Sequence, residues 1–169
     1  DPERVLRFYN ERRKAVRAAT PNLAHLALGE LEQIFKVTII TQNIDDLHER
    51  GGSTNVIHLH GEIMKSRSSR DPTTLFACEG DIVLGQKADD GSQMRPHVVW
   101  FGESVPMMDT AIAVAKTADF LIVVGTSLEV YPAASLVDYV PYEATRFLVD
   151  PMPSGLTDED FHIVEAKAS

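Results

Sequence analysis

Two histidines, His58 and His60, and the string Gln42-Asn43-Ile44-Asp45 hold the densest chemistry in this 169-residue chain. Imidazole is the side chain best suited to take a proton from a hydroxyl near neutral pH. His60, directly before Gly61 at the end of an alternating run, is the candidate general base. His58 lies two residues earlier and so on the same face of the same expected strand, as a helper or one member of a metal pair would. The metal reading is the weaker one, because no third donor follows at a ligand spacing and only Cys78 and His97 lie nearby in sequence. His25 and His162 read as ordinary partly buried histidines. The amides of Gln42 and Asn43 with the Asp45 carboxylate suit ribose hydroxyls and a carboxamide, while the same residues equally suit a turn capping the next helix. Gly125-Thr126-Ser127 offers backbone N–H groups and hydroxyls to a nucleotide. It lacks the spacing of a G-x-G-x-x-G fingerprint, so a plain strand-to-helix turn is the even alternative.

The elements around these residues explain their placing. Val37 to Ile40 is a short β-branched run that ends abruptly in the polar string after it, and Asn55 to His60 alternates up to Gly61,. Phe120 to Val124 reads as the clearest buried strand, followed by the Gly125 turn and a helix near Pro132,. His97 to Phe101, Arg146 to Asp150 and His162 to Val164 complete the strands. The opening segment, with Val5, Leu6, Phe8 and Tyr9 among charges, predicts an amphipathic helix,. A second helix starts at a Thr20 cap with Pro21 in its first turn, and a further one runs near Asp109 to Thr117,. The stripe Leu23, Leu26, Ala27, Leu31, Ile34 and Phe35 should pack the second helix on a sheet. Strands alternating with helices predict an α/β fold with a Rossmann-like parallel sheet. From Lys65 the pattern breaks into Ser, Asp and Gly, predicting a small inserted module over 65–94 between sheet parts at 1–64 and 95–169,. Ligands of such sheets bind beyond the carboxyl ends of the strands, after Ile40 and after Val124.

Composition narrows the classes of function. Sixteen Lys plus Arg against 25 Asp plus Glu give a net charge of −9, which argues against direct nucleic-acid binding,. The longest apolar run, Phe120 to Val124, is far short of the roughly 20 residues of a bilayer span,. One cysteine, Cys78, fits a reducing compartment, and the cytoplasm is the expectation,.

In order and spacing, Pro21-Asn22-x-x-His25, Thr41-Gln42-Asn43-Ile44-Asp45, His60-Gly61, Val99-Trp100-Phe101-Gly102-Glu103 and Gly125-Thr126-Ser127-Leu128-x-Val130-x-Pro132 closely resemble the sirtuin (Sir2) family of NAD-dependent protein deacylases, bacterial type. The resemblance implies NAD as cofactor and acyl-lysine proteins or peptides as substrates. It implies that Asn43 and Asp45 line the nicotinamide and ribose pocket, with Gln42 near the ribose hydroxyls and Ile44 beside them. His60 matches the family's catalytic base, which acts on the ribose hydroxyls after the substrate's acyl oxygen has displaced nicotinamide. Gly125, Thr126 and Ser127 match residues around the phosphates and the adenosine ribose, and Asp150 would accept from an adenosine hydroxyl. Val99, Trp100, Phe101, Gly102 and Glu103 match one edge of the peptide groove and Glu129, Val130 and Tyr131 the other, with the peptide added between them as a strand.

Two departures follow. Most sirtuins carry four zinc cysteines between the H-G and V-V-W-F-G-E strings, whereas this interval has Cys78 alone. A tetrahedral thiolate site cannot be built from that, so zinc is expected to be absent, with Leu75, Phe76, Ile82, Val83 and Leu84 as a replacement mini-core. The family's glycine-rich phosphate turn, its cofactor loop with an Arg and its final helix are not found in this sequence either. The expectation is an incomplete part of a larger protein, inactive alone. Mono-ADP-ribosyl transfer and a non-catalytic peptide-binding module are the alternatives, and the acyl preference is left open.

Overall fold

The structure, a computed structural model, describes residues 1–126, 130–152 and 161–168. Helix α1 covers Pro2–Ala18 and α2 covers Leu23–Leu31. Strand β1 (Ile39–Thr41) and β2 (Val56–His58) pair in parallel, joined through the short helix α3 (Leu47–Arg50). Strands β3 (Gly61–Ser68), β4 (Leu75–Ala77) and β5 (Met94–Val98) form an antiparallel sheet in the order β4-β3-β5. After α4 (Met108–Ala115) comes β6 (Phe120–Val124), then a 3-10 helix over Ala133–Tyr139, β7 (Thr145–Val149) and β8 (His162–Val164). Strands β6, β7 and β8 form a second parallel sheet in chain order. The α/β class and the parallel pairing expected from the strand and helix alternation are therefore present. Among the described residues no helix is long and apolar enough to cross a membrane.

Several local expectations change. Asn22, not Thr20, caps α2: its side chain accepts from the His25 N–H, and the His25 ring accepts from the Asn22 N–H, each at 3.1 Å. This reciprocal capping box gives the P-N-x-x-H string a structural task. The apolar stripe is not buried on a sheet: Leu23, Leu26, Ile34 and Phe35 are exposed, with Phe35 meeting the sheet edge-on at the Phe120 ring of β6, 6.3 Å between centroids. The helix is held instead by its narrow side, where a Cβ at Gly29 would meet the Gly51 carbonyl at 2.6 Å and the His25 ring packs on His48. Strand β6 is buried on one face only: Val123 packs with Leu148 and Phe161, while Phe120, Ile122 and Val124 face outward. The run His97 to Phe101 is strand only through Val98, beyond which the chain turns.

The expected mini-core is also different. Leu75, Val83 and Leu84 are exposed, and the buried cluster is Leu6, Cys78, Ile82 and Met94, with Phe76 against it. Leu6 reaches it from α1, a contact across more than seventy residues that no local pattern reveals. The same helix is fixed by buried polar groups. Asn10 exchanges two hydrogen bonds with the Ile82 backbone at 2.9 and 3.0 Å, and Arg13 donates to the carbonyls of Ile63 and Gly80 at 2.8 and 3.1 Å.

Candidate functional site

The site is assembled by the carboxyl end of β1 and the turn that joins β2 to β3. Beyond Thr41 the chain enters Gln42 to Asp46, and the Thr41 hydroxyl accepts from the Asn43 N–H at 3.1 Å, bending the loop out of the sheet. Asp45 accepts from the Leu47 N–H at 3.2 Å at the start of α3, so the capping reading of this string holds for that residue,. Ile44 is tied in through its carbonyl, which accepts from the Ile63 N–H at 2.8 Å. Asn43 is exposed, and its side-chain amide has no partner among the described residues.

The two histidines part company here. Strand β2 ends at His58, and His60 sits in the following turn, because buried Leu59 and Gly61 redirect the chain into β3. Gly61 has φ +82°, and a Cβ there would meet the His97 carbonyl at 2.2 Å, so no other residue fits between these strands,. The His60 ring stands 3.1 Å, through Nδ1, from the Gln42 carbonyl. A carbonyl only accepts, so Nδ1 carries the proton and Nε2 of the neutral ring carries the lone pair. Nε2 has no partner among the described residues. His58 is different: Nδ1 faces the Asn43 carbonyl at 3.3 Å and Nε2 meets Glu49 at 2.7 Å, in a buried setting. Both of its nitrogens are engaged inside the protein. His60 alone of the pair has a nitrogen left for a substrate.

Glu49, His58 and Glu62 bring three donor atoms within 4.8 Å of one another, the grouping among the described residues that could hold a metal ion. Its donors already have partners, since Glu49 holds His58 and Glu62 accepts from Lys65, each at 2.7 Å. Glu49 has no sequence signal for this role; only the return of α3 over β2 brings it to His58.

The expected peptide edge joins the same centre. The Val99 N–H donates to the His60 carbonyl at 2.9 Å, so the segment Val99 to Glu103 leaves the sheet beside the catalytic candidate. Trp100 is half-buried, whereas Phe101 is fully exposed beside Gly102. Glu103 turns inward to Arg95, which holds its carboxyl below the usual carboxylate range. On the other side, Gly125 donates to the Val149 carbonyl at 3.1 Å and Thr126 follows it. Ser127 and Glu129 lie outside the described residues. Val130 and Tyr131 are exposed ahead of the 3-10 helix, whose Ala133 and Leu136 pack with Ile57 and Leu59 next to His60. Asp150 directly follows β7, where it accepts from the Met152 N–H at 2.8 Å. The loop at 42–46, the H-G turn and the Val99 to Glu103 segment are thus directly hydrogen-bonded together. Gly125, Thr126 and Asp150 lie at the carboxyl ends of the second parallel sheet.

The module between β3 and β5 contains no thiolate set. Cys78 is buried, with its thiol on the Gly80 carbonyl at 3.6 Å. Where β3 ends, Ser68 donates to Asp90 at 2.5 Å and its oxygen lies 2.6 Å from the Ser92 hydroxyl. This knot of serines and one carboxylate closes the module.

The Sir2 family model matches residues 1–132. An NAD-dependent protein deacylase of Aggregatibacter actinomycetemcomitans is 53% identical over 152 residues, which are 90% of this chain and 73% of that protein. One of Bacteroides thetaiotaomicron is 48% identical over 176 residues, covering 100% of this chain and 75% of the relative. Among solved structures, a Sir2 homologue in complex with NAD superposes with a TM-score of 0.89 at 42% identity, over 99% of this chain and 68% of that one. Sir2Tm bound to a propionylated peptide gives 0.84 at 32% identity, over 99% and 74%. With the T-Q-N-I-D loop, the H-G turn and the V-V-W-F-G-E segment joined by hydrogen bonds, and a family match over most of its length, the chain belongs to the Sir2 family.

Proposed function

We propose that this protein is an NAD-dependent protein lysine deacylase, moving the acyl group of an acyl-lysine onto ADP-ribose with release of nicotinamide. The observation that carries this reading is the His60 ring. It is oriented by the Gln42 carbonyl through Nδ1 and keeps Nε2 unpartnered, at the point where the cofactor loop and the peptide edge meet. NAD supplies the ribose carbon that receives the acyl oxygen. In this proposal the exposed Asn43 amide, with Asp45 and Ile44, receives the nicotinamide end, and Gln42 stands near the ribose hydroxyls. Gly125, Thr126, Ser127 and Asp150 serve the phosphates and the adenosine ribose. His60 Nε2 accepts the proton of a ribose hydroxyl, while its Nδ1–H stays on Gln42 and keeps the ring from turning. Val99 to Glu103 and Glu129 to Tyr131 bracket the peptide, held by backbone pairing that admits many sequences.

The module at 65–94 is proposed to need no zinc, because its one thiol is buried in an apolar cluster and the Ser68–Asp90–Ser92 knot closes it. A reducing cytoplasm, with neither membrane nor nucleic acid as a direct partner, completes the proposal. Nicotinamide release by the whole protein tests it: release requires both NAD and an acyl-lysine peptide. Equal release without peptide identifies an NAD hydrolase, and label passing from NAD onto protein identifies an ADP-ribosyltransferase.

A further inference from the structure

Buried Arg95 on β5 touches the segment Val98 to Glu103 at three places. Its Nη1 and Nη2 donate to the two carboxylate oxygens of Glu103 at 2.6 and 3.1 Å, a bidentate clasp,. Nη2 also donates to the Val98 carbonyl at 2.9 Å, where the strand ends. Between these points the guanidinium lies 3.5 Å from the centre of the Trp100 ring,. Glu103 in turn accepts from the Trp100 N–H at 2.9 Å, and its own N–H donates to the Trp100 carbonyl at 2.9 Å. The turn is thereby closed twice, once through the main chain and once through a side chain that Arg95 holds. With the Trp100 ring and the Glu103 carboxylate held on Arg95, the tip is left to Phe101, fully exposed, and to Gly102, whose φ of +87° makes the reversal possible,. Arg67 stands 3.9 Å from Glu103 as a second cation, so the carboxylate, though partly exposed, is engaged by the protein's own arginines.

We infer that Arg95 is a positioning residue for acyl-peptide binding: through Glu103, Trp100 and the Val98 carbonyl it fixes the shape of the peptide edge without touching the peptide. This rests on the deacylase reading of that edge. A five-residue surface turn would otherwise be ordered at the moment of binding, and that ordering would weaken affinity. Lysine keeps the charge but lacks the planar fork, so it should replace Arg95 only in part.

Trp100 is the chain's single tryptophan, so its emission reports on the segment without any turnover. Arg95→Met, Arg95→Lys and Glu103→Gln are compared with the parent chain by acrylamide quenching of Trp100 and by the anisotropy of a labelled acetyl-lysine peptide. Arg95→Met and Glu103→Gln are expected to raise quenching at least about twofold and the peptide Kd about tenfold, with Arg95→Lys between them and the parent. Leu148→Ala, a destabilised core variant in the other sheet, is expected to leave both readings in place. The inference is overturned if quenching and Kd stay at the parent's values in Arg95→Met and Glu103→Gln, or if Leu148→Ala shifts them equally. Glu103→Gln keeps the test decisive should Arg95→Met fail to fold. Failure of the parent to bind acyl-peptide would overturn the reading of the edge. The quenching comparison would still decide whether Arg95 holds the segment.

Discussion

At the scale of single residues, the fold separates two histidines that the sequence places on one strand face. His58 and His60 reach successive carbonyls of one loop, Asn43 and Gln42, but only His58 spends its second nitrogen on a protein group, Glu49. Removing each should therefore do different things. His60→Ala is expected to lower acyl removal by about two to four orders of magnitude, the usual contribution of a positioned base. Peptide affinity should remain, as measured by titration of the variant with acyl-peptide. His58→Phe should instead destabilise the fold by about 1–2 kcal/mol, since it strands the Asn43 carbonyl. Urea denaturation reads that, with His60→Ala denaturing close to the parent. Near-full turnover in His60→Ala would make His60 structural. The H-G string singles out His60 as the proposed base, and the fold leaves that ring a nitrogen without a partner among the described residues. The occupation of His58 was not, because Glu49 reaches it only through the fold of α3 over β2.

At the scale of elements, the regular periodic runs were legible and the joins between them were not. Strand β6, the β7 and β8 pairing and helix α4 follow from apolar runs and spacing. The docking of α1 rests on Asn10 and Arg13, polar residues at buried positions, which a hydrophobic pattern assigns to solvent,. Likewise the module's closure depends on Ser68, Asp90 and Ser92, residues that read as loop punctuation. The Ser68 hydroxyl and the Ser92 N–H hold the Asp90 carboxyl below the usual range. Hydrogen bonds from Thr73 lower Asp71 to about 2. A carboxylate whose folded pKa is depressed stabilises above its unfolded value, near ~4, and loses that stabilisation as pH falls through the folded value. These two carboxylates should thus add no pH dependence above ~4.5 and make stability fall from there toward about 2,. Asp90→Asn should remove part of that slope, as followed by urea midpoints at successive pH values. Elemental analysis of the purified protein should find less than about 0.1 zinc per chain, and chelators should leave its circular dichroism unchanged. A stoichiometric metal lost together with the fold would refute this account of the module.

At the scale of the whole molecule, the cofactor candidates fall on two separate parallel sheets, and the described residues distribute the work unevenly between them. The loop after β1, proposed for the nicotinamide end, is built in detail, pinned by Thr41, Ile63 and the two histidines. The residues proposed for the adenosine end are the turn after β6 and Asp150, whose carboxylate already accepts from Met152. Among the described residues no glycine-rich turn leads into the N-terminus of a longer helix, the arrangement that gives phosphates both aligned N–H donors and the positive end of a helix dipole,. Ile34 and Phe35 after α2, and Phe120 and Ile122 on β6, are also exposed, with Phe35 set edge-on to Phe120 at 6.3 Å. This chain matches 73% and 75% of the length of its two deacylase relatives. For the 169-residue chain taken by itself, calorimetry at millimolar NAD is expected to show weak binding or none,. Whatever heat is seen should come from the nicotinamide side, so Asn43→Ala should abolish it and Asp150→Ala should change it little. Micromolar affinity would mean that the turn after β6 binds the phosphates without a helix behind it. Equal loss in both variants would mean that the two sheets already form one continuous cofactor site.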